Sequence, residues 1–368
     1  MTIVESTASY EKWLGGLLEI VPEDLEKKHA AMAQSVFPFL RATFYRFVQI
    51  WKEHAGDAAR APKVLAVGDL HVANFGTWRD IDGRLVWGIN DFDEVYPFAY
   101  TIDLVRLAVS ARIAADENHL AIGPDDACTS ILEGYKAGIA SGGCPFILAE
   151  QHRWLRETVT GELRDPVLFW AKMEEMGACK VTVPKEAMRG IDKLMPVGAA
   201  VERISHRVAG LGSLGRQRFV ALAYLNGSHV AREAKALCSS ASVWAGVKGG
   251  SNEPMYPDIL ETSIRALDPC VRVKKGWIVR RLSPYCSRVD LATLPKQREE
   301  SKLLHAMGFE TANVHLGTKG AGKLIDADLK KRPAKWLQRA GEAMKLATIQ
   351  DFKDWQAAHG VKPQAKRA

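Results

Sequence analysis

The stretch Val67-Gly68-Asp69-Leu70-His71-Val72-Ala73-Asn74-Phe75 (VGDLHVANF) decides how the rest of the chain is read. It sets a carboxylate, an imidazole and a carboxamide in one short loop, directly after the apolar run Val64-Leu65-Ala66-Val67. Working outward, Phe75 to Trp78 and Leu85 to Ile89 read as two short strands, and Gly83 in Ile81-Asp82-Gly83-Arg84 is a hairpin turn signal between them. Such a hairpin returns the acidic segment Ile89-Asn90-Asp91-Phe92-Asp93-Glu94 to the side of the first loop. Asn74, Asp91 and Asp93 then supply oxygen ligands suited to a hard divalent cation, and Asp69 is a carboxylate left to orient or deprotonate a hydroxyl. Asp and Asn in loops are, one at a time, usually turn formers and helix caps. That explanation fits the set less well than a site does.

The chain has 368 residues, 47% hydrophobic and 25% charged, which suits a folded protein with a sizeable core and excludes fibrous or wholly disordered classes. Its net charge of +7 comes from 50 basic and 43 acidic residues, a weak pull toward anionic ligands. The densest basic runs, Lys330-Lys331-Arg332 and Lys366-Arg367, are not interleaved with aromatics, so nucleic acid is not expected as a partner. Six scattered cysteines without a Cys-x-x-Cys suit a reduced, cytoplasmic protein. The opening MTIVESTASYEKWLGG lacks a signal-peptide pattern, and no apolar stretch approaches the roughly 20 residues of a spanning helix, so no membrane is expected.

Helical periodicity runs from about Pro22 to Glu53 with a break near Ser35 to Pro38, then over 101–115 and 124–140. Residues 145–200 read as mostly helical, broken at Gly161, Pro166, Gly177 and Pro184. The texture changes at Val201. Strands are expected at 204–209, 217–224 and 229–234, with Asn226-Gly227 as the second turn, then a helix over 257–267 and a hairpin around Lys275-Gly276. Helices return from Lys296 to about Leu316 and fill 326–358.

Between the first two of these strands lies Gly210-Leu211-Gly212-Ser213-Leu214-Gly215, a G-x-G-x-x-G turn whose glycines let backbone N–H groups approach phosphate oxygens. A dinucleotide reading would need a helix next, and RQRFVALAY has strand composition instead. Further on, Val230-Ala231-Arg232-Glu233-Ala234-Lys235 offers two cations, and the period of two puts Arg232 and Lys235 on opposite faces of a regular strand. Of the remaining residues, Trp87 and Phe92 are expected in the core, and Arg41 as a packed stem with a satisfied head.

These motifs resemble those of aminoglycoside phosphotransferases and related small-molecule kinases. GDLHVANF is similar to their Gly-Asp-x-His-x-x-Asn loop, INDFDE to their metal-binding motif, and TIDLVRLA to the helix that follows; the spacing of five residues from Asp69 to Asn74 and twelve from Asp91 to Asp103 agrees. The resemblance implies an α+β, two-lobed protein-kinase-like fold, with Asp69 as catalytic base. His71 is counted with it as a catalytic-loop residue, expected to fix the loop by hydrogen bonds rather than act as a base, with a metal role as the alternative. Asn74, Asp91 and Asp93 would be the metal ligands and Asp103 a brace under the loop. It further implies ATP and Mg²⁺ as cofactors, with Gly210, Gly212, Ser213 and Gly215 covering the phosphates. Lys235 or Arg232 would neutralise them, and Glu261 would ion-pair with Lys235.

The chain also resembles the bacterial family catalogued as domain of unknown function 2252, through PFLRATFYRF, VGDLHVANFG, INDFDE, GLGSLG, AREAKAL and WIVRRL. That family often has Lys where Arg232 stands. Because the loop precedes the glycine turn, the kinase-like order would be circularly permuted. A helical lobe would span 1–200, a β-rich nucleotide lobe 201–290, and helices returning to the first lobe 291–368. The expected function is transfer of a phosphoryl group to a small-molecule hydroxyl. The alternatives are a nucleotide-binding pseudokinase, an adenylyl transferase and, less favoured, a two-metal phosphoesterase. The test in three dimensions is that Asp69 and Asp91 face Gly210 to Gly215 across a cleft.

Overall fold

A computed structural model describes residues 1–148, 152–159, 165–286 and 299–360. The expected break at Gly161, the first residues of the helix expected from Lys296, and the Lys366-Arg367 pair lie outside the described residues.

The chain opens with α1 (Ile3–Gly15), closed at its start by a reciprocal capping box between Thr2 and Glu5. The helical stretch that follows is three helices, α2 (Pro22–Met32), α3 (Val36–Ala42) and α4 (Phe44–His54), interrupted near Ser35 as its sequence suggests. Strands β1 (Lys63–Ala66), β2 (Phe75–Arg79), β3 (Leu85–Ile89) and β4 (Tyr96–Ala99) come next. The β2–β3 hairpin turns at Gly83, and β1 pairs antiparallel with β4. Helix α5 (Thr101–Asp116) is buried at every position from Thr101 to Ala114, so it shows no amphipathic stripe and forms the axis of the helical core.

Helix α6 (Pro124–Ser141) leads to β5 (Phe146–Ile147), a third strand on the β2–β3 sheet, and to α7 (Arg153–Val159), α8 (Pro166–Glu174) and α9 (Lys185–Leu194). The main sheet follows: β6 (Ala200–His206), β7 (Arg218–Leu225) and β8 (Ser228–Ala236), then α10 (Ala241–Trp244), α11 (Tyr256–Thr262), β9 (Val271–Lys274) and β10 (Trp277–Leu282). Its five strands are antiparallel in the order β6-β7-β8-β10-β9. The turn Asn226-Gly227 has φ of 48° and 86°, the left-handed pair that a two-residue hairpin demands. Helices α12 (Glu300–His315), α13 (Ala321–Lys331) and α14 (Trp336–Ala358) complete the molecule, and α14 packs along α5.

The fold is α+β, with 14 α-helices and three small antiparallel sheets among the described residues. One face of the main sheet carries Phe219, Ala221, Ala234, Ala236 and Val279 against Ala187 and Ile191 of α9. Its other face turns toward the loops after β1 and β3. Trp87 and Phe92 are core residues, as expected. The helix expected over 257–267 ends at Thr262: Ser263 is extended, Ile264 N–H donates to the Asn313 carbonyl at 3.1 Å, and the Arg265 side chain is drawn between Trp78 and Phe92. Among the described residues no helix is long and apolar enough to cross a membrane.

Candidate functional site

The loop after β1 is held from below. Asp103, in the first turn of α5, accepts hydrogen bonds from Val67 N at 2.7 Å and Gly68 N at 2.8 Å, and its Oδ2 lies 2.8 Å from Nε2 of the buried His315. This is the bracing role expected of Asp103. Gly68 has φ of 86°, and a Cβ there would lie 2.4 Å from the Glu94 carbonyl oxygen, so only glycine lets the two loops approach this closely. Ser110 Oγ on α5 accepts from Val72 N at 3.0 Å.

Asp69 leaves this braced backbone toward a small cavity. Arg106, fully buried on α5, grips its Oδ1 through Nη2 at 2.5 Å and Nε at 3.0 Å, while Nη2 also donates to the Leu40 carbonyl at 2.6 Å. Burial pushes the Asp69 carboxyl up, and the Arg106 charge offsets part of that rise. Asn74 is buried and donates its amide to the Asp69 carbonyl oxygen. His71 is buried too, its Nδ1 accepting from Ala73 N at 3.2 Å, which is the loop-fixing part expected of it.

The acidic segment after β3 meets the main sheet. Lys235 on β8 is buried and pairs with Asp91 at 3.4 Å and, more closely, with Asp93. Burial lowers its ammonium pKa, and the two carboxylates pull it back up. Arg216 lies 3.6 Å from Asp93 and 3.1 Å from Glu94, whose other oxygen accepts from Ala241 N at 2.6 Å. Burial pushes the Glu94 carboxyl up against the effect of Arg216.

The glycine turn closes the cavity from the sheet side. Residues Leu211 to Ser213 form a single 3-10 turn, and a Cβ on Gly212 would lie 2.9 Å from the Arg41 carbonyl oxygen and 3.3 Å from Asp69 Oδ2. Asp69, His71, Asn74, Asp91 and Asp93 thus share one cavity with Gly210, Gly212 and Ser213, and Arg41 lines it as well. The expected juxtaposition of the two acidic loops and the glycine turn is present. The cavity offers about 40 Å³, room for a few waters or one small ion.

Three expected members lie elsewhere. Arg232 is on the opposite face of β8 from Lys235 and donates to the Leu194 carbonyl at 2.8 Å, so of the two cations it is Lys235 that reaches the acidic loop. Glu261 is exposed at the rim of a neighbouring cleft, and the ion-pair partners of Lys235 are Asp91 and Asp93 instead. Gly215 packs against Leu25, and its carbonyl accepts from Val21 N at 2.8 Å. The sequence reading missed Arg106, Arg216 and the buried Lys28, whose ammonium lies 3.5 Å from the Gly212 carbonyl and is lowered to about 8 by burial. Arg106 had a visible signal, a cation inside the apolar run of α5, which carries Arg112 as well.

Among the described residues no three His, Cys, Asp or Glu side chains converge as an all-protein metal cage. A Mg²⁺ that takes one or two carboxylates and completes its shell with phosphate oxygens and water needs no such cage. Asp93 Oδ1, on the cavity wall, is buried without a hydrogen-bond partner among the described residues, an oxygen that a hard cation would satisfy. The donor set therefore fits.

Residues 20–152, which include both acidic loops and Asp103, match the family described as "Uncharacterized protein conserved in bacteria (DUF2252)". This supports the resemblance to that family carried by PFLRATFYRF, VGDLHVANFG and INDFDE, which lie within the match. No curated protein and no solved structure matches the chain.

Proposed function

We propose that the protein is an ATP- and Mg²⁺-dependent phosphotransferase of kinase-like architecture, acting on a small-molecule hydroxyl, with the kinase-like parts in permuted chain order. The observation that carries this reading is the meeting of Asp69, Asn74, Asp91 and Asp93 with the turn Gly210 to Ser213 around one cavity, with Lys235 paired to Asp91 and Asp93. Phosphoryl transfer asks a protein mainly for alignment and charge neutralisation, and those are the chemistries this set offers.

In this reading Asp69 Oδ2, on the cavity side, accepts the acceptor hydroxyl while Arg106 fixes the carboxylate through Oδ1. Mg²⁺ held by Asp91, Asp93 and Asn74 would neutralise charge on the phosphate oxygens. Lys235 supplies a second positive charge from the sheet side. The N–H groups of Ser213, Leu214 and Arg216 are bonded within the turn, and Gly212 sits against Asp69, so nucleotide entry requires the turn to lift. Glycines at 210 and 212 make that movement inexpensive.

The test is thermal unfolding with ATP and Mg²⁺ at millimolar concentration. The expected result is a rise in Tm with ATP that Mg²⁺ enlarges, the Mg²⁺-dependent part being absent in Asp91→Asn; no Mg²⁺-dependent rise in the unaltered protein overturns the proposal. The tight Arg106–Asp69 pair favours a second reading, a nucleotide-binding protein in which Asp69 is structural. It predicts the same Tm rise without turnover of ATP.

A further inference from the structure

Beside the acidic cavity, and sharing Gly210 with it, lies a cleft of about 460 Å³ between the sheet face that carries Lys235 and residues of β2, α11 and the acidic segment. Its sheet wall is built on Glu233, which is fully buried. Arg280 Nε lies 2.9 Å and Arg218 Nη1 3.2 Å from Glu233 Oε1, and Arg207 bonds Oε2. Burial alone would raise the Glu233 carboxyl, and the three guanidiniums reverse this and hold it well below its usual range. One carboxylate thus gathers three guanidiniums, all of which line the cleft, and two positive charges remain in excess.

Arg265 stands on the opposite wall. Its guanidinium is sandwiched between Trp78 at 4.6 Å and Phe92 at 4.8 Å, and Nη2 donates to the Ile89 carbonyl at 3.0 Å. Its Nε and Nη1 are buried and have no hydrogen-bond partner among the described residues. Of the two carboxylates in the cleft wall, Asp268 is engaged by Arg281 at 3.1 Å and Glu261 lies at the exposed rim.

We propose that this cleft binds a polyanion of the phosphate class without a metal ion, held by Arg207, Arg280 and Arg265. A guanidinium presents paired N–H groups to phosphate oxygens, and one stacked between aromatic rings is already oriented for it. The volume is that of a small-molecule site. Holding Glu233 does not require three arginines, and Glu233 cannot account for Arg265, which lies across the cleft. Arg218 also donates to Ser213 Oγ at 2.9 Å, so an anion in the cleft acts on the glycine turn through one side chain. The proposal stands whether or not the acidic cavity transfers phosphoryl groups. The anion has two possible sources, the phosphate tail of a nucleotide and an acceptor that already carries phosphate.

The experiment is calorimetric titration of the full chain with inorganic tripolyphosphate in EDTA at low salt. Arg280→Gln, Arg265→Gln and the remote, exposed Arg339→Gln are titrated in parallel. Arg280→Gln leaves Glu233 with two arginines, and Arg265→Gln is an independent second variant on the other wall. Metal-free binding is expected, weakened about tenfold or more by either cleft substitution and within about twofold of the unaltered protein in Arg339→Gln. Absence of binding, or equal weakening in all three variants, overturns the proposal. Competition separates the sources: displacement of tripolyphosphate by ATP but not by adenosine assigns the site to the nucleotide tail, and simultaneous binding assigns it to the acceptor. Asp91→Asn should leave metal-free binding intact, so failure of the Mg²⁺–ATP reading and failure of this one are told apart.

Discussion

The carboxylate of Asp69 is divided between two neighbours, Arg106 at Oδ1 and the cavity under Gly212 at Oδ2. Asp69→Asn keeps the shape and removes the charge, so turnover of ATP should fall at least about a hundredfold while Mg²⁺–ATP still raises Tm. A coupled ADP-release assay checks this, and undiminished turnover would remove Asp69 from the chemistry. Arg106→Met leaves that carboxylate unpaired in a buried setting, and about 3–5 kcal/mol of stability should be lost in urea unfolding. A loss within the error of the measurement would mean that water takes over the role of Arg106. At this scale the sequence was most informative where the candidate site is built from neighbouring residues. Asp69, Asn74 and Asp91 stand in short motifs whose spacing is itself the signal, and period-two alternation anticipated that only one of Arg232 and Lys235 could face the site. Arg216 and Lys28 carried no such signal, because each acquires its partners from segments that are remote in the chain.

Among the elements, α6 and α12 approach closely through glycines. A Cβ on Gly134 would lie 1.8 Å from the His305 carbonyl oxygen, and one on Gly308 would lie 2.0 Å from that of Ile131. Gly134→Ala and Gly308→Ala should each push the helices apart and cost on the order of 3 kcal/mol despite alanine's better helix propensity. Urea midpoints would show it, and a stabilised Gly134→Ala would mean that the helices slide freely. Long periodic helices and the Asn226-Gly227 hairpin were legible because their signals are repeated or confined to one dipeptide. The two-residue β5 and four-residue β4 are too short to show alternation. The helix of α11 stops early for a tertiary reason, the placement of Arg265 between Trp78 and Phe92, which no local propensity encodes.

For the molecule as a whole, Glu310 ties α12 to β3 and to the segment before β5. It accepts from Ile89 N at 3.2 Å and from Asn313 Nδ2 at 2.8 Å, and Asn313 Oδ1 accepts from Cys144 N at 2.9 Å. Burial raises its pKa to about 7, so the folded chain holds this proton more tightly than the unfolded one. Stability should therefore fall as pH rises from about 4.5 to about 7, and stay lower above that, by on the order of 3 kcal/mol relative to Glu310→Gln. Unfolding at pH 5 and pH 8 measures the difference, and parallel profiles for the two proteins would contradict it.

Helix α14 lies along α5, and its Phe352 and Trp355 join Ile3, Met32 and Phe39 in one apolar cluster, with Arg46 bonded to Asp351 at 2.8 Å. During synthesis, the faces of α1 to α5 that await α14 are made more than two hundred residues before their cover. At ribosomal speeds of about 5–20 residues per second, they stay uncovered for roughly ten seconds or longer. The growing chain thus carries exposed apolar surface for that time, and a chain truncated before α14 should be prone to aggregate.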